Sequence, residues 1–250
     1  MSTHRYDWKR SRPRATDPVF RPALMRAGVP VGTSVITDGL PPVYNQGQCG
    51  SCTANAAAVL WRHALYREHL PDLAPSRMFD YYNERVLQGT VALDSGATVR
   101  DALQALMQFG TVPETDWPYT EPFAAKPLAD LYAQATHHVQ SYARVAQQPA
   151  AVFAALASGH VVQFGFEVFA SFESDAVASS GVVPMPDTAG EALLGGHSCA
   201  IIGIGGAASQ VRVRNSWGGD WGMAGDFLMP FDYLFDPQLA GDFWIINYET

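Results

Sequence analysis

Ala54, Ala56, Ala57, Ala58, Val59, Leu60 and Trp61 leave almost no polar face in the stretch 54–70, and no helix breaker appears until Pro71. Apolar residues all round predict a buried central helix. Two amphipathic helices are predicted over 77–88 and 98–109, the second with Thr98 placed to cap its start and Gly110 to end it. Beyond about residue 140 the pattern changes: a short helix over 149–157 ends at Gly159, and strand-like runs follow at 161–169, 197–204, 211–217, 227–229 and 243–247. Helices first and strands second predict an α+β protein with a helical lobe over roughly 35–135 and a sheet lobe over roughly 136–250. The crevice between two such lobes is the natural place for chemistry.

Residues 1–34 share neither period. Pro13, Pro18, Pro22 and Pro30 make this segment read as an extended arm. It is also basic: Arg5, Lys9, Arg10, Arg12, Arg14, Arg21 and Arg26 face only Asp7 and Asp17, so residues 1–30 carry +5 while the whole chain carries −8. A basic arm on an acidic body is expected to fold back across the cleft, and the acidic body argues against nucleic acid as a partner. The arm lacks the apolar stretch of a signal peptide, and no run reaches the ~18 apolar residues of a membrane span. At 250 residues with 48% apolar content, a sizeable core is available.

The loop 41–52 is dense in turn residues and delivers Cys52 to the start of the buried helix. Unpaired N–H groups at a helix start favour a thiolate, the nucleophilic form of cysteine. Gln46 lies six residues earlier and can reach back with its side-chain amide, forming an oxyanion hole with the Cys52 backbone N–H. His197 follows Gly195-Gly196 and opens an apolar strand, as a general acid and base would if it lay beside the thiol. Asn215 opens Asn215-Ser216-Trp217 at the end of the next strand, where its amide oxygen can accept the imidazole N–H while Trp217 shields that bond from water.

These segments together resemble the papain family of cysteine peptidases: the nucleophile loop 45–52, Gly196-His197 opening a strand, and Asn215-Ser216-Trp217-Gly218. The histidine and asparagine fall 145 and 163 residues beyond Cys52, close to the family spacing of ~130–150. The resemblance covers 35–250 and implies a papain-like two-lobed fold, a helical left lobe facing an antiparallel sheet or barrel. It implies peptide hydrolysis through a thioester acyl-enzyme, with no metal and no other cofactor. Its substrate would be a peptide or protein, commonly with an apolar side chain two residues upstream of the scissile bond. Gly96 and Ala97 match a pair that binds substrate backbone in the family, and Gly196 and Trp217 are placed to line the same groove.

Three features depart from the family pattern. Thr53 stands where an aromatic residue usually follows the nucleophile. Cys49 occupies a position usually disulfide-bonded, yet no cysteine is available in the helical segment that should pair with it. Residues 1–34 are shorter than the usual propeptide and lack its helical pattern. Three other readings compete with the peptidase: a Cys₃His zinc site from Cys49, Cys52, Cys199 and His197, a C-x-x-C redox pair, and a non-catalytic binder on the same fold. The first leaves Gln46 and Asn215-Ser216-Trp217 unexplained, and the second lacks the short βαβ setting expected of such a pair. All three cysteines are expected to be free thiols.

Overall fold

The all-apolar stretch forms α1 (Cys52–Arg67), buried at nearly every position and starting at the cysteine itself, two residues earlier than the pattern predicted. The computed structural model describes residues 4–21, 34–120, 122–205 and 209–247. The helix α2 (Arg77–Gln88) has both predicted bounds; Ser76 Oγ accepts the Phe79 N–H at its start, and Gly89 ends it in the left-handed region at φ 71°. In α3 (Val99–Gln108), Thr98 accepts the Asp101 N–H as its sequence position implied. A shorter helix, α4 (Ala129–Gln134), carries no clear period and was not predicted.

The sheet strands are β1 (Ser34–Val35), β2 (Ser141–Arg144), β3 (Val162–Phe169), β4 (Leu193–Ile204), β5 (Gln210–Arg214), β6 (Asp226–Pro230) and β7 (Ala240–Asn247). They pair antiparallel in the order β2-β7-β3-β4-β5-β6, with β1 added on β4. The sheet is not closed into a barrel. Three helices accompany it: α5 (Pro149–Ala157), as predicted, and the short α6 (Asp175–Ser180) and α7 (Phe231–Phe235).

Strand alternation sorts the interior into two cores. Cys199 and Ile201 of β4 join Phe164, Phe166, Val213, Phe227 and Phe243 on one face. Ala200 and Ile202 join Trp61, Leu60, Leu103 and Trp244 on the other, beneath α1 and α3. Each large apolar side chain buried there contributes about 1.5–3 kcal/mol. The second core clamps α1, which starts at Cys52, to the back of β4, which carries His197, so both candidate residues sit on rigid elements.

The arm is part of this packing. Asp7 forms a parallel bridge with Gly196, Trp8 N–H donates to Gly196 O at 2.8 Å, and Lys9 N–H donates to Ala97 O at 3.0 Å. Further on, Ser11 bonds Asp242 of β7, and Arg144 of β2 exchanges backbone bonds with Pro18 and Phe20. Pro22 and Pro30 lie outside the described residues.

Candidate active site

Cys52 is the first residue of α1 and follows the turn 46–50, held by Cys49 N–H on Gln46 O at 3.2 Å. No acidic residue occupies the first turn of α1 itself, although the Asp94 carboxylate accepts the Gly50 N–H at 3.0 Å just before it. Its cap residue Ser51 makes no side-chain cap bond, because its hydroxyl is engaged with Tyr119 and Asn55.

On the sheet side, β4 and β5 pair so that Ala200 faces Arg214, which brings Asn215 alongside His197. His197 Nε2 lies 2.8 Å from Asn215 Oδ1. The same oxygen accepts the Ser216 backbone N–H at 2.8 Å, which identifies it as the amide oxygen and makes His197 Nε2 the donor. His197 Nδ1 is therefore the acceptor nitrogen, and it is buried with no protein hydrogen-bond partner among the described residues. The Trp217 ring stacks on the imidazole with centroids 5.0 Å apart, covering the bond as expected.

Gln46 is buried between the two sides. Its backbone N–H donates to Ser216 O at 2.8 Å, and its side-chain carbonyl accepts Ser216 Oγ–H at 2.7 Å. The carbonyl of Cys49, which can only accept, settles the amide orientation: Nε2 is the donor end. One of its two N–H groups bonds Cys49 O at 3.0 Å, and the other has no protein partner among the described residues.

The arm covers all of this. His4 stacks on Trp217 at 3.8 Å, the Tyr6 ring lies 6.1 Å from His197, and Cys52 and His197 are both 0% exposed. A Cβ on Gly96 would lie 1.8 Å from Asp7 O, on Gly195 2.6 Å from Tyr6 O, and on Gly196 2.5 Å from Trp8 O. Gly96, Ala97 and Gly196 thus converge on one extended segment of chain. Trp217 meets the same arm through His4 and Tyr6 and packs on His197.

Burial dominates the ionisation of both reactive groups. It pushes the Cys52 thiol up to about 12; Glu84 and Asp7 push it further, while hydrogen bonds with the Ser198 and Thr53 backbones oppose. Burial pulls the His197 imidazole down to about 4, helped by His4 and opposed by the Asn215 bond. Both directions favour a neutral thiol and a neutral imidazole while the arm is docked, whereas the sequence suggests an ion pair. All three cysteines are free. Among the described residues, no three His, Cys, Asp or Glu side chains are grouped to hold a metal ion, which removes the Cys₃His zinc reading. No helix among them is long and apolar enough to cross a membrane.

Ser216 and Tyr119 are site residues that the sequence did not reveal. Ser216 lay in view beside Asn215 but its hydroxyl has no fixed direction in a sequence. Tyr119 lies 67 residues beyond Cys52 with no pattern linking the two.

A thiol at the head of a buried helix and an imidazole on a facing sheet, in a crevice that accepts an extended chain, define a two-lobed cysteine peptidase. The profile described as papain family cysteine protease matches residues 35–232, and the chain belongs to that family. The peptidase C1-like protein L477 of Acanthamoeba polyphaga mimivirus is 38% identical over 217 residues, 82% of this chain and 70% of that protein. Procathepsin L of Rattus norvegicus is 27% identical over 193 residues, 74% of this chain and 55% of that protein. Among solved structures, xylellain, a cysteine protease from Xylella fastidiosa, superposes with a TM-score of 0.87 at 34% identity, covering 98% of this chain and 96% of that one. The bromelain protease of Ananas comosus, with a TM-score of 0.65 at 21% identity over 84% of this chain and 95% of that one, shares the fold.

Proposed function

We propose that Cys52 is the nucleophile of a peptide-bond hydrolase gated by its own N-terminal arm. Once the arm leaves, water returns to the crevice and the desolvation that holds both groups neutral is relieved, so the Cys52 proton passes to His197 Nδ1. The thiolate forms a C–S bond with the scissile carbonyl carbon. Gln46 Nε2–H and the Cys52 backbone N–H donate to the oxyanion, each worth about 2.7–4 kcal/mol in such sites. His197 Nδ1–H then protonates the leaving amine as the C–N bond breaks. Water, deprotonated by the same nitrogen, hydrolyses the thioester and restores the thiol. Asn215 holds the imidazole through Nε2 throughout.

The observation that carries this reading is the 2.8 Å bond from His197 Nε2 to Asn215 Oδ1, which leaves Nδ1 as the proton-accepting nitrogen. The arm reading rests on the backbone bonds of Trp8 and Lys9 to Gly196 and Ala97, the groups a substrate strand would use. Kinetics of Cys52→Ala, Cys49→Ala and Cys199→Ser test the assignment: the first is expected to abolish hydrolysis, the others to retain most of it. Full activity in Cys52→Ala overturns it.

A further inference from the structure

The loop that presents Gln46 is held from the helical side by a buried relay with a single direction. Arg77 is clamped by Glu114 at 2.7 and 2.6 Å and lies between the rings of Tyr44 and Tyr119, 4.3 and 4.0 Å from their centroids. Its Nη1 donates to Asn55 Oδ1 at 2.8 Å, and Asn55 Nδ2 donates to Ser51 Oγ at 3.0 Å. Tyr119 Oη lies 2.6 Å from Ser51 Oγ and donates its proton to Gln46 O at 3.0 Å. A phenol has one proton to give, so Ser51 is the donor in their shared bond. Charge therefore polarises the whole chain of bonds, from guanidinium to amide to hydroxyl to phenol, toward the Gln46 carbonyl.

We infer that the Tyr119 hydroxyl is a positioning group that sets the place of the Gln46 oxyanion donor. The carbonyl of Gln46 has two lone pairs, and its partners are Cys49 N–H and Tyr119 Oη–H. The first belongs to the same turn and moves with it. Tyr119 is the anchor that ties that carbonyl to the helical lobe, while Ser216 holds the backbone and amide from the sheet lobe. Gln46 is thus stretched between the two lobes, and loss of either hold lets the amide drift from the oxyanion. Burial pushes the Tyr119 phenol up to about 12, so it remains a donor across the working pH range.

The inference rests on the proposed catalytic roles, and the test separates the two. Tyr119→Phe in the full chain removes one oxygen and keeps the ring against Arg77. It is expected to lower kcat about tenfold with KM within twofold, and to weaken a peptide aldehyde, whose hemithioacetal oxygen takes the oxyanion's place, by the same factor. Alkylation of Cys52 by chloroacetamide forms no oxyanion and is expected to stay within twofold. A variant with unchanged kcat overturns the inference alone, as does an equal loss in alkylation, which would assign Tyr119 to the nucleophile helix. If the unaltered chain hydrolyses no peptide, the catalytic roles fall and this inference with them.

Discussion

Trp8 of the arm lies flat against Gly165 of β3, so close that a Cβ at Gly165 would stand 1.9 Å from the indole. The indole is 5% exposed and packs with Cys52, Ala57 and Ala200 in the interlobe core. Charge contributes less simply than the sequence suggested. Arg5 pairs with Asp94 and Arg10 with Glu167, as a basic arm on an acidic body should. The buried pair between arm and body, however, runs the other way, from the arm's Asp17 to Arg100 at 2.8 Å. Burial of one aromatic side chain, worth about 3 kcal/mol, outweighs half-exposed ion pairs worth about 0–1 kcal/mol each.

Trp8→Ala should therefore shift the arm roughly a hundredfold toward release. The expected outcome is a rise of about tenfold or more in kcat/KM on long peptides, with a smaller rise on dipeptide reporters. Equal rates for the variant and the unaltered chain on both substrates would show that the arm does not gate.

Gly165→Ala approaches the same contact from the body. The strand backbone is ordinary there, and the three atoms nearest to the added Cβ all belong to Trp8. The methyl should expel the indole and raise activity on long peptides in the unaltered-arm protein, without a loss of thermal stability beyond that of Trp8→Ala.

The pH dependence of Cys52 alkylation should differ between the two states. With the arm docked, a thiol pushed up to about 12 offers almost no thiolate at neutral pH, so the rate should climb through the alkaline range. In Trp8→Ala the hydrated thiol is free to ionise against His197, and the rate should already be near its plateau at neutral pH. Superimposable profiles would argue that burial by the arm does not control ionisation.

Buried carboxyls on α2 make a separate prediction about stability. Burial raises both Asp80 and Glu84 well above the ordinary carboxylate range, and Glu84 accepts the Thr53 hydroxyl. An acid with a raised folded pKa binds its proton more tightly when folded, so its stabilisation is complete below the unfolded value near 4 and declines as pH rises. Between about pH 5 and 8 the Tm of the unaltered chain should fall more steeply than that of Asp80→Asn/Glu84→Gln. Parallel slopes in a melting series would contradict this.

The helices legible in the sequence were those long enough to show an apolar pattern. Ser76, Thr98 and Gly89 bound α2 and α3 by local bonds. Ser174 and Gly181 bound α6 in the same way, but its six residues are too few to show a period, and α4 is as short and has no side-chain cap. Strands lost or gained residues at their ends, as in β5, which stops at Arg214 and leaves Asn215 to turn toward His197. Cys52, His197, Asn215 and Gln46 stand out as candidates in the sequence because their neighbours are glycines and turn residues with few structural uses in that order. The burial that opposes charge on Cys52 and His197 was not readable, because Tyr6 and Trp8, which help to cover them, lie more than forty residues before Cys52. Thr53 explains itself only in the fold: it replaces bulk with a hydroxyl because Glu84 lies beneath it.

The central claim is that Cys52, and neither Cys49 nor Cys199, is the nucleophile. Incubation of the full chain with a peptidyl epoxide, followed by mass mapping of the adduct, tests it most directly. One adduct per chain is expected, on Cys52, with hydrolysis lost in proportion to labelling; complete loss of activity with the adduct on Cys49 or Cys199 would overturn the assignment.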